Sequence, residues 1–215
     1  MTRSVALRLA FSAVLAAVVN GSAGGADPTP VEITVRTSDG EAVASAVVAL
    51  RPLAPTVAGP GSSSPLSMSQ HDLQFDPHVL VAWVGSNVAF PNEDQVRHHV
   101  YSFSEAKAFE LRLYGGETEH VVLFDRPGVV SLGCNIHDDM IAFIYVADTP
   151  YAAKTDAEGR VRLDGAPPGE YSLTVWHENL RGQEEIERSF TIGEAGAPET
   201  VAVELRRPRR RDGGY

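Results

Sequence analysis

The chain has 215 residues, of which 43% are hydrophobic and 21% are charged, a composition typical of a soluble globular protein with a sizeable core. The formal net charge is −10, but the first residues carry +2 and residues 206–215 carry +4, which leaves −16 for the body of the chain. Such a body repels nucleic acid and anionic lipid headgroups, and it favours basic partners.

The first 26 residues have the features of a secretory signal peptide. Two arginines precede an apolar run from Leu9 to Val19, and the small residues at 21–26 (GSAGGA) allow cleavage after Ala23 or Ala26. A membrane anchor is the other interpretation, but the run is short for a span. We therefore predict export to the periplasm with removal of residues 1–26, and a mature protein that does not span the membrane.

The residues that follow form short alternating runs separated by Gly, Pro, Asn and Asp, so the sequence predicts an all-β protein. Val31–Thr37 alternates, a Ser-Asp-Gly turn follows at 38–40, and Val43–Arg51 continues as a second run. This pattern predicts a β-hairpin. Residues 54–67 are rich in Pro, Gly and Ser, and we expect them to form a linker.

Two further series of strands are predicted after the linker. The second series has seven short strands in about 80 residues, which indicates a sandwich or barrel. Its strands are Val79–Val84, Asn87–Phe90, Val96–Phe103, Ala108–Tyr114, Glu119–Phe124, Gly128–Leu132 and Ile141–Ala147, with a helical turn at 107–110 as an alternative. The third series comprises Arg160–Leu163, Glu170–His177, Glu184–Ile192 and Thr200–Leu205. Residues 206–215 (RRPRRRDGGY) are predicted to be a disordered basic tail, or else a tether to a membrane or partner.

The segment TDAEGRVRLDGAPPGEYSLTVWHE, residues 155–178, resembles the second half of a transthyretin-like, or carboxypeptidase regulatory-like, β-sandwich. In that family a hairpin like Val31–Leu50 comes first. The resemblance therefore implies a discontinuous domain of residues 31–53 and 150–205, with residues 68–148 inserted between its parts. Neither part alone has enough strands to bury two faces of a sandwich. Two independent β units in series are the alternative.

The chain has one cysteine, Cys134, in the segment CNIHDDM at 134–140 between two predicted strands. In an oxidising compartment cysteines usually pair, so a lone cysteine is either a buried bystander or a functional thiolate. Here a thiolate, an imidazole and a thioether share one short loop. This set favours copper over zinc, because a thioether is a poor zinc ligand but a common weak axial ligand of blue copper. A second imidazole would come from His98 or His99, which point to opposite faces of a strand.

Residues 68–148 resemble a cupredoxin of the plastocyanin and amicyanin kind. Phe90 and Asn92 match a Phe-x-Asn segment that precedes the first ligand histidine in that family, and His98 then falls on the ligand position. His99 falls where the family commonly has Asn. The resemblance implies a Greek-key β-sandwich, inserted here into the second, transthyretin-like β-sandwich.

The CNIHDDM loop matches the short ligand loop of amicyanin. The match implies one type 1 (blue) copper ion, Cu(I)/Cu(II), with Cys134 as the thiolate ligand, His137 as an equatorial ligand and Met140 as the axial ligand. Core packing is the other interpretation of Met140. The remaining scattered histidines, His71, His78 and His120, are predicted to be surface residues rather than ligands of a second metal.

The resemblance implies a periplasmic one-electron carrier rather than an enzyme, with a dehydrogenase or a cytochrome as its partner. Similar chains are often labelled methylamine utilization proteins. Residues 68–148 hold twelve acidic and four basic residues, a net charge of −8, which predicts docking to a basic surface. The alternatives are a copper-binding or storage protein, and an adhesion module whose outer β-sandwich binds glycan or protein.

Overall fold

The computed structural model of the protein describes residues 30–55, 65–182, 185–193 and 198–206. These residues form seventeen strands and no helix, which confirms the all-β prediction. The predicted signal peptide, most of the predicted linker and all but the first residue of the basic tail lie outside the described residues. Within the described ranges, no helix has the length and hydropathy that a membrane span requires.

The strands are numbered along the chain. The first two are β1 (Val31–Thr37) and β2 (Val47–Pro52). The middle of the chain forms β3 (Leu66–Ser67), β4 (Ser69–His71), β5 (Gln74–Asp76), β6 (Val79–Trp83), β7 (Ser86–Ala89), β8 (His98–Ser104), β9 (Lys107–Tyr114), β10 (Val121–Phe124), β11 (Gly128–Gly133) and β12 (Ile141–Ala147). The last strands are β13 (Ala152–Lys154), β14 (Arg160–Leu163), β15 (Gly169–Trp176), β16 (Glu185–Ile192) and β17 (Glu199–Val203).

Two sheets combine strands from both ends of the described chain. One sheet has the order β14-β1-β17 and the other has the order β13-β2-β15-β16. In the first, β1 runs antiparallel to β14 and parallel to β17; in the second, β2 runs antiparallel to both neighbours. Buried residues from both sheets form one core, including Ile33, Leu50, Leu173 and Val201.

The predicted hairpin of β1 and β2 is wrong. The turn forms and a single bridge joins Arg36 to Ala42, but the chain then crosses to the other sheet. Ser45 has a φ of 59° at this crossing, and the strand predicted from Val43 begins at Val47. The physical reason is competition for the edge of β1, where β14 pairs instead of β2.

The middle of the chain forms a second sandwich. A five-stranded sheet, β6-β12-β11-β8-β9, packs against a three-stranded sheet, β10-β7-β3, while β4 and β5 form a separate two-stranded ribbon. Residues 107–110, for which a helical turn was the alternative, belong to β9. The core of this sandwich includes Phe90, Val100, Phe124 and Ile144.

A third apolar cluster joins the four-stranded sheet to the five-stranded sheet. It contains Val47, Ala49, Ala152 and Trp176 from the former, and Val79, Tyr145 and Ala147 from the latter. The strand β2 therefore alternates between two cores, since Val48 and Leu50 face the core described first. Burial of both faces explains why β2 is a continuous apolar run rather than an alternating one.

Candidate metal centre

The strands β8 and β11 are neighbours, and they bring two predicted ligands to the same end of one core. Strand alternation from the buried Leu132 places Cys134, the residue after β11, on the core-facing side. His98 is the first residue of β8 and is fully buried. Gly133 of β11 pairs with Tyr101 of β8. The thiol of Cys134 and the imidazole of His98 therefore come from adjacent ends of neighbouring strands.

Backbone hydrogen bonds close the loop between β11 and β12. The last pair of the ladder joins Gly133 to Ile141. Inside it, the Cys134 amide donates to the Met140 carbonyl at 3.2 Å, and the Met140 amide donates to the His137 carbonyl at 3.0 Å. The loop therefore turns back on itself and leaves the sulfur of Cys134 3.7 Å from Nδ1 of His137.

Three of the four predicted ligands converge. The ligand atoms of His98, Cys134 and His137 all lie within 4.8 Å of one another, and the two imidazole centroids are 5.0 Å apart. His98 and Cys134 are buried, whereas His137 is half-buried and therefore forms the solvent edge of the group. Met140, the predicted axial ligand, is buried in the same apolar cluster as Cys134.

The two ring nitrogens of His98 have different surroundings. Nε2 lies 2.7 Å from Oδ2 of Asp94, and a carboxylate only accepts, so Nε2 carries the proton. In the neutral imidazole Nδ1 then keeps the lone pair, and it is buried with no hydrogen-bond partner among the described residues. A metal ion between the three donor atoms would satisfy this orphaned nitrogen, so the residues present fit a metal ion.

Asp94 is a neighbour of the candidate site that the sequence analysis missed, because its carboxylate contacts His98. Its carboxylate also accepts from the backbone amides of Asp72 (2.9 Å) and Leu73 (3.0 Å). Burial acts to raise the pKa of Asp94, but the hydrogen bonds from Leu73, His98 and Asp72 outweigh it, and the pKa lies below its usual value. The charged carboxylate thus fixes the His98 tautomer, and a carboxylate four residues before a predicted ligand was a signal available in the sequence.

His99 lies apart from the three converging ligands. Its Nε2 is 2.9 Å from Oε1 of Glu110 on β9, and its ring centroid is 5.7 Å from that of Tyr101. The register between β8 and β9 shifts between His98 and Val100, and the two histidines face opposite sides of the sheet. Of the two candidate imidazoles, His98 is therefore the one beside Cys134.

No protein-family model and no curated protein matches the chain. Among solved structures, it is similar to a copper-containing nitrite reductase from Thermus scotoductus SA-01, with 26% identity over 46% of this chain and 25% of that one, and a TM-score of 0.38. It is also similar to a purple cupredoxin from Nitrosopumilus maritimus (19% identity, 38% of this chain, 99% of that one, TM-score 0.34). A third similar structure is a reduced tryptophan-to-tyrosine mutant of amicyanin. It is 16% identical, the similarity covers 46% of this chain and 98% of that one, and the TM-score is 0.37. The chain thus spans about a quarter of the nitrite reductase, and each similarity covers less than half of this chain.

Proposed function

We propose that this chain is a type 1 copper protein that carries single electrons between redox partners in the periplasm. The observation that carries the proposal is the convergence of His98, Cys134 and His137 within 4.8 Å, with Nδ1 of His98 buried and unpartnered among the described residues. One thiolate and two imidazoles beside a buried thioether form a donor set that suits copper. When bound, a copper ion supplies one-electron chemistry by alternating between Cu(I) and Cu(II).

In this proposal the four side chains have distinct roles. Cys134 would hold the copper ion as the thiolate, so the proton of its thiol would go to the solvent. His98 and His137 would supply the two imidazole ligands, and Met140 would supply the weak thioether ligand. The donors stand at the ends of paired strands and in a closed loop, which would limit their movement between the two oxidation states.

His137 is the member of the group through which we expect electrons to enter and leave, because it alone is half-buried. Exposed Ile136 and Asp138 lie beside it in the loop. Together with the net charge of −8 on residues 68–148, this edge favours a partner with a basic surface, such as a dehydrogenase or a cytochrome. The protein is then a carrier and not an enzyme.

We also propose that residues 31–53 and 150–205 form one discontinuous, transthyretin-like β-sandwich domain around a cupredoxin domain of residues 68–148. The pairing of β1 with β14 and β17, and of β2 with β13 and β15, supports this division. The remaining segments are a cleaved signal peptide at 1–26, a linker at 54–67 and a basic tail at 206–215.

Visible absorption and voltammetry of the copper-loaded protein test the proposal. We expect a strong charge-transfer band from the thiolate to Cu(II) and a reversible one-electron couple. Cys134→Ser should abolish the band while circular dichroism shows an unchanged fold, and the matched control His99→Asn should keep it. Copper that exchanges readily with a chelator and shows no reversible couple would contradict the carrier and favour storage.

A further inference from the structure

We propose that His71, Asp72 and Asp94 form a second metal site, at the protein surface, that takes a divalent transition-metal ion. Their ligand atoms lie within 4.8 Å of one another. The sequence predicted His71 to be an ordinary surface residue. Its side chain is indeed 57% exposed, but the fold places it next to two carboxylates from different segments of the chain.

The β4–β5 ribbon builds this site. His71 ends β4 and pairs with Gln74 at the start of β5, so that Asp72 and Leu73 form a two-residue turn with φ values of 52° and 60°. The amides of this turn donate to the carboxylate of Asp94. The same hydrogen bonds that hold Asp94 therefore fix the turn that carries the other two ligands.

The donor set decides the class of ion. Nε2 of His71 lies 3.3 Å from Oδ2 of Asp72, and the set contains one imidazole and two carboxylates without a thiolate or thioether. Such nitrogen and oxygen donors suit Zn²⁺ and similar divalent ions rather than Cu(I). The side chain of Asp72 is 87% exposed and that of Asp94 is 13% exposed, so water can complete the coordination while Asp94 anchors the ion.

The local charge also favours a cation. Among the described residues, the ion-pair partners of Asp72 and Asp94 are the imidazoles of His71 and His98, and neither carboxylate pairs with lysine or arginine. A cation close to a carboxylate stabilises its charged form. A divalent ion would neutralise both.

Asp94 can serve both sites because its two oxygens have different partners. Oδ2 accepts from the Leu73 amide and from Nε2 of His98, whereas Oδ1 accepts from the Asp72 amide alone within the described part of the chain and so keeps a lone pair. A metal ion on Oδ1 leaves the bond to His98 in place but draws electron density from the carboxylate. We therefore expect the imidazole signals of His98 to respond when the exposed site is filled.

Zinc stoichiometry of the reduced full chain, measured by calorimetry and elemental analysis, tests the site. We expect the wild-type chain to bind two zinc ions, one in each cluster. The variant His71→Ala should bind one zinc ion, and so should the double variant Cys134→Ser/His137→Ala. The triple variant that combines these substitutions should bind none. His78→Ala, which removes another exposed histidine paired with a carboxylate, should still bind two.

The four variants separate failure of this site from failure of the proposed copper site. The exposed site alone would be overturned if the double variant Cys134→Ser/His137→Ala bound no zinc. It would also be overturned if the addition of His71→Ala to the double variant left the zinc stoichiometry unchanged. A second readout is the ¹⁵N spectrum of the imidazoles in the double variant. Zinc should shift the His98 resonances there, and an unshifted spectrum at saturation would overturn the shared carboxylate.

Discussion

At the scale of single residues, two histidine–carboxylate pairs stand side by side on β8. Nε2 of His98 is 2.7 Å from Asp94, and Nε2 of His99 is 2.9 Å from Glu110. Both histidines have a buried Nδ1 without a partner among the described residues, but only that of His98 belongs to the group that includes Cys134. Both histidines contact a carboxylate, so that contact does not distinguish them. What makes His98 and not His99 the candidate ligand is the side of the sheet that each faces.

Asp94→Asn should weaken Cu(I) binding by about 10–100-fold, because the variant keeps the side-chain volume but loses the charged acceptor that orients His98. Competition with a chromophoric Cu(I) chelator under anaerobic conditions measures the affinity. Glu110→Gln is the matched control, since it makes the same chemical change at His99, and it should leave the affinity nearly unchanged. Equal losses in both variants would show that Asp94 has no special role.

At the scale of secondary-structure elements, Gly159 explains why β14 rather than β2 pairs with β1. It lies in the turn before β14 with a φ of 77°, and its carbonyl accepts from the Val35 amide at 2.7 Å. A Cβ atom at this position would overlap the Val35 carbonyl oxygen and approach the Val43 amide nitrogen to 3.0 Å. Only glycine allows the turn to approach β1 this closely.

Gly159→Ala should therefore lower the free energy of unfolding more than Gly165→Ala does. Gly165 has a φ of 78° but no atom within 4 Å of an added Cβ. In both variants an alanine in the left-handed backbone conformation should cost about 1–2 kcal/mol of stability. Gly159→Ala alone adds the steric overlap, which should cost about 1–3 kcal/mol more. Urea denaturation measures both values, and similar losses would argue against the close approach.

At the scale of the whole molecule, the four main sheets are stacked as layers, and an apolar cluster joins the two sandwiches. Trp176 is 5% exposed there, with its ring centroid 5.4 Å from that of Phe143. A hydrophobic contact between packed sheets restrains their relative motion. The sandwich formed by β1, β2 and β13–β17 thus packs against the five-stranded sheet, in which β8 begins at His98 and β11 ends just before Cys134.

We expect the metal-free protein to unfold in one cooperative calorimetric transition. Trp176→Ala should remove about 3–5 kcal/mol of packing from the contact and split the transition into two. Phe103→Ala is the control, because this side chain lies on the same five-stranded sheet and is 87% exposed. Two transitions in the wild-type protein, or a split transition in the control, would contradict the coupling.

The sequence by itself determined the features that depend on neighbours along the chain. Alternation and turn residues predicted strands such as Val31–Thr37 and Ile141–Ala147 with the bounds that the structure has. The spacing of soft donors in CNIHDDM predicted a loop between two strands, with a copper site as its interpretation. These are local properties, because strand periodicity and a seven-residue loop involve only adjacent residues.

Only the tertiary structure decided which distant segments meet. In the structure β1 pairs with β14 instead of β2, and His71 and Asp72 lie beside Asp94. Both contacts join residues far apart along the chain, and neither has a periodic signal in the sequence. The burial of both faces of β2 likewise depends on a sheet formed by a different part of the chain. One nitrogen of a histidine ring becomes a candidate ligand when the other is hydrogen-bonded and the surroundings exclude water. Both conditions come from folding.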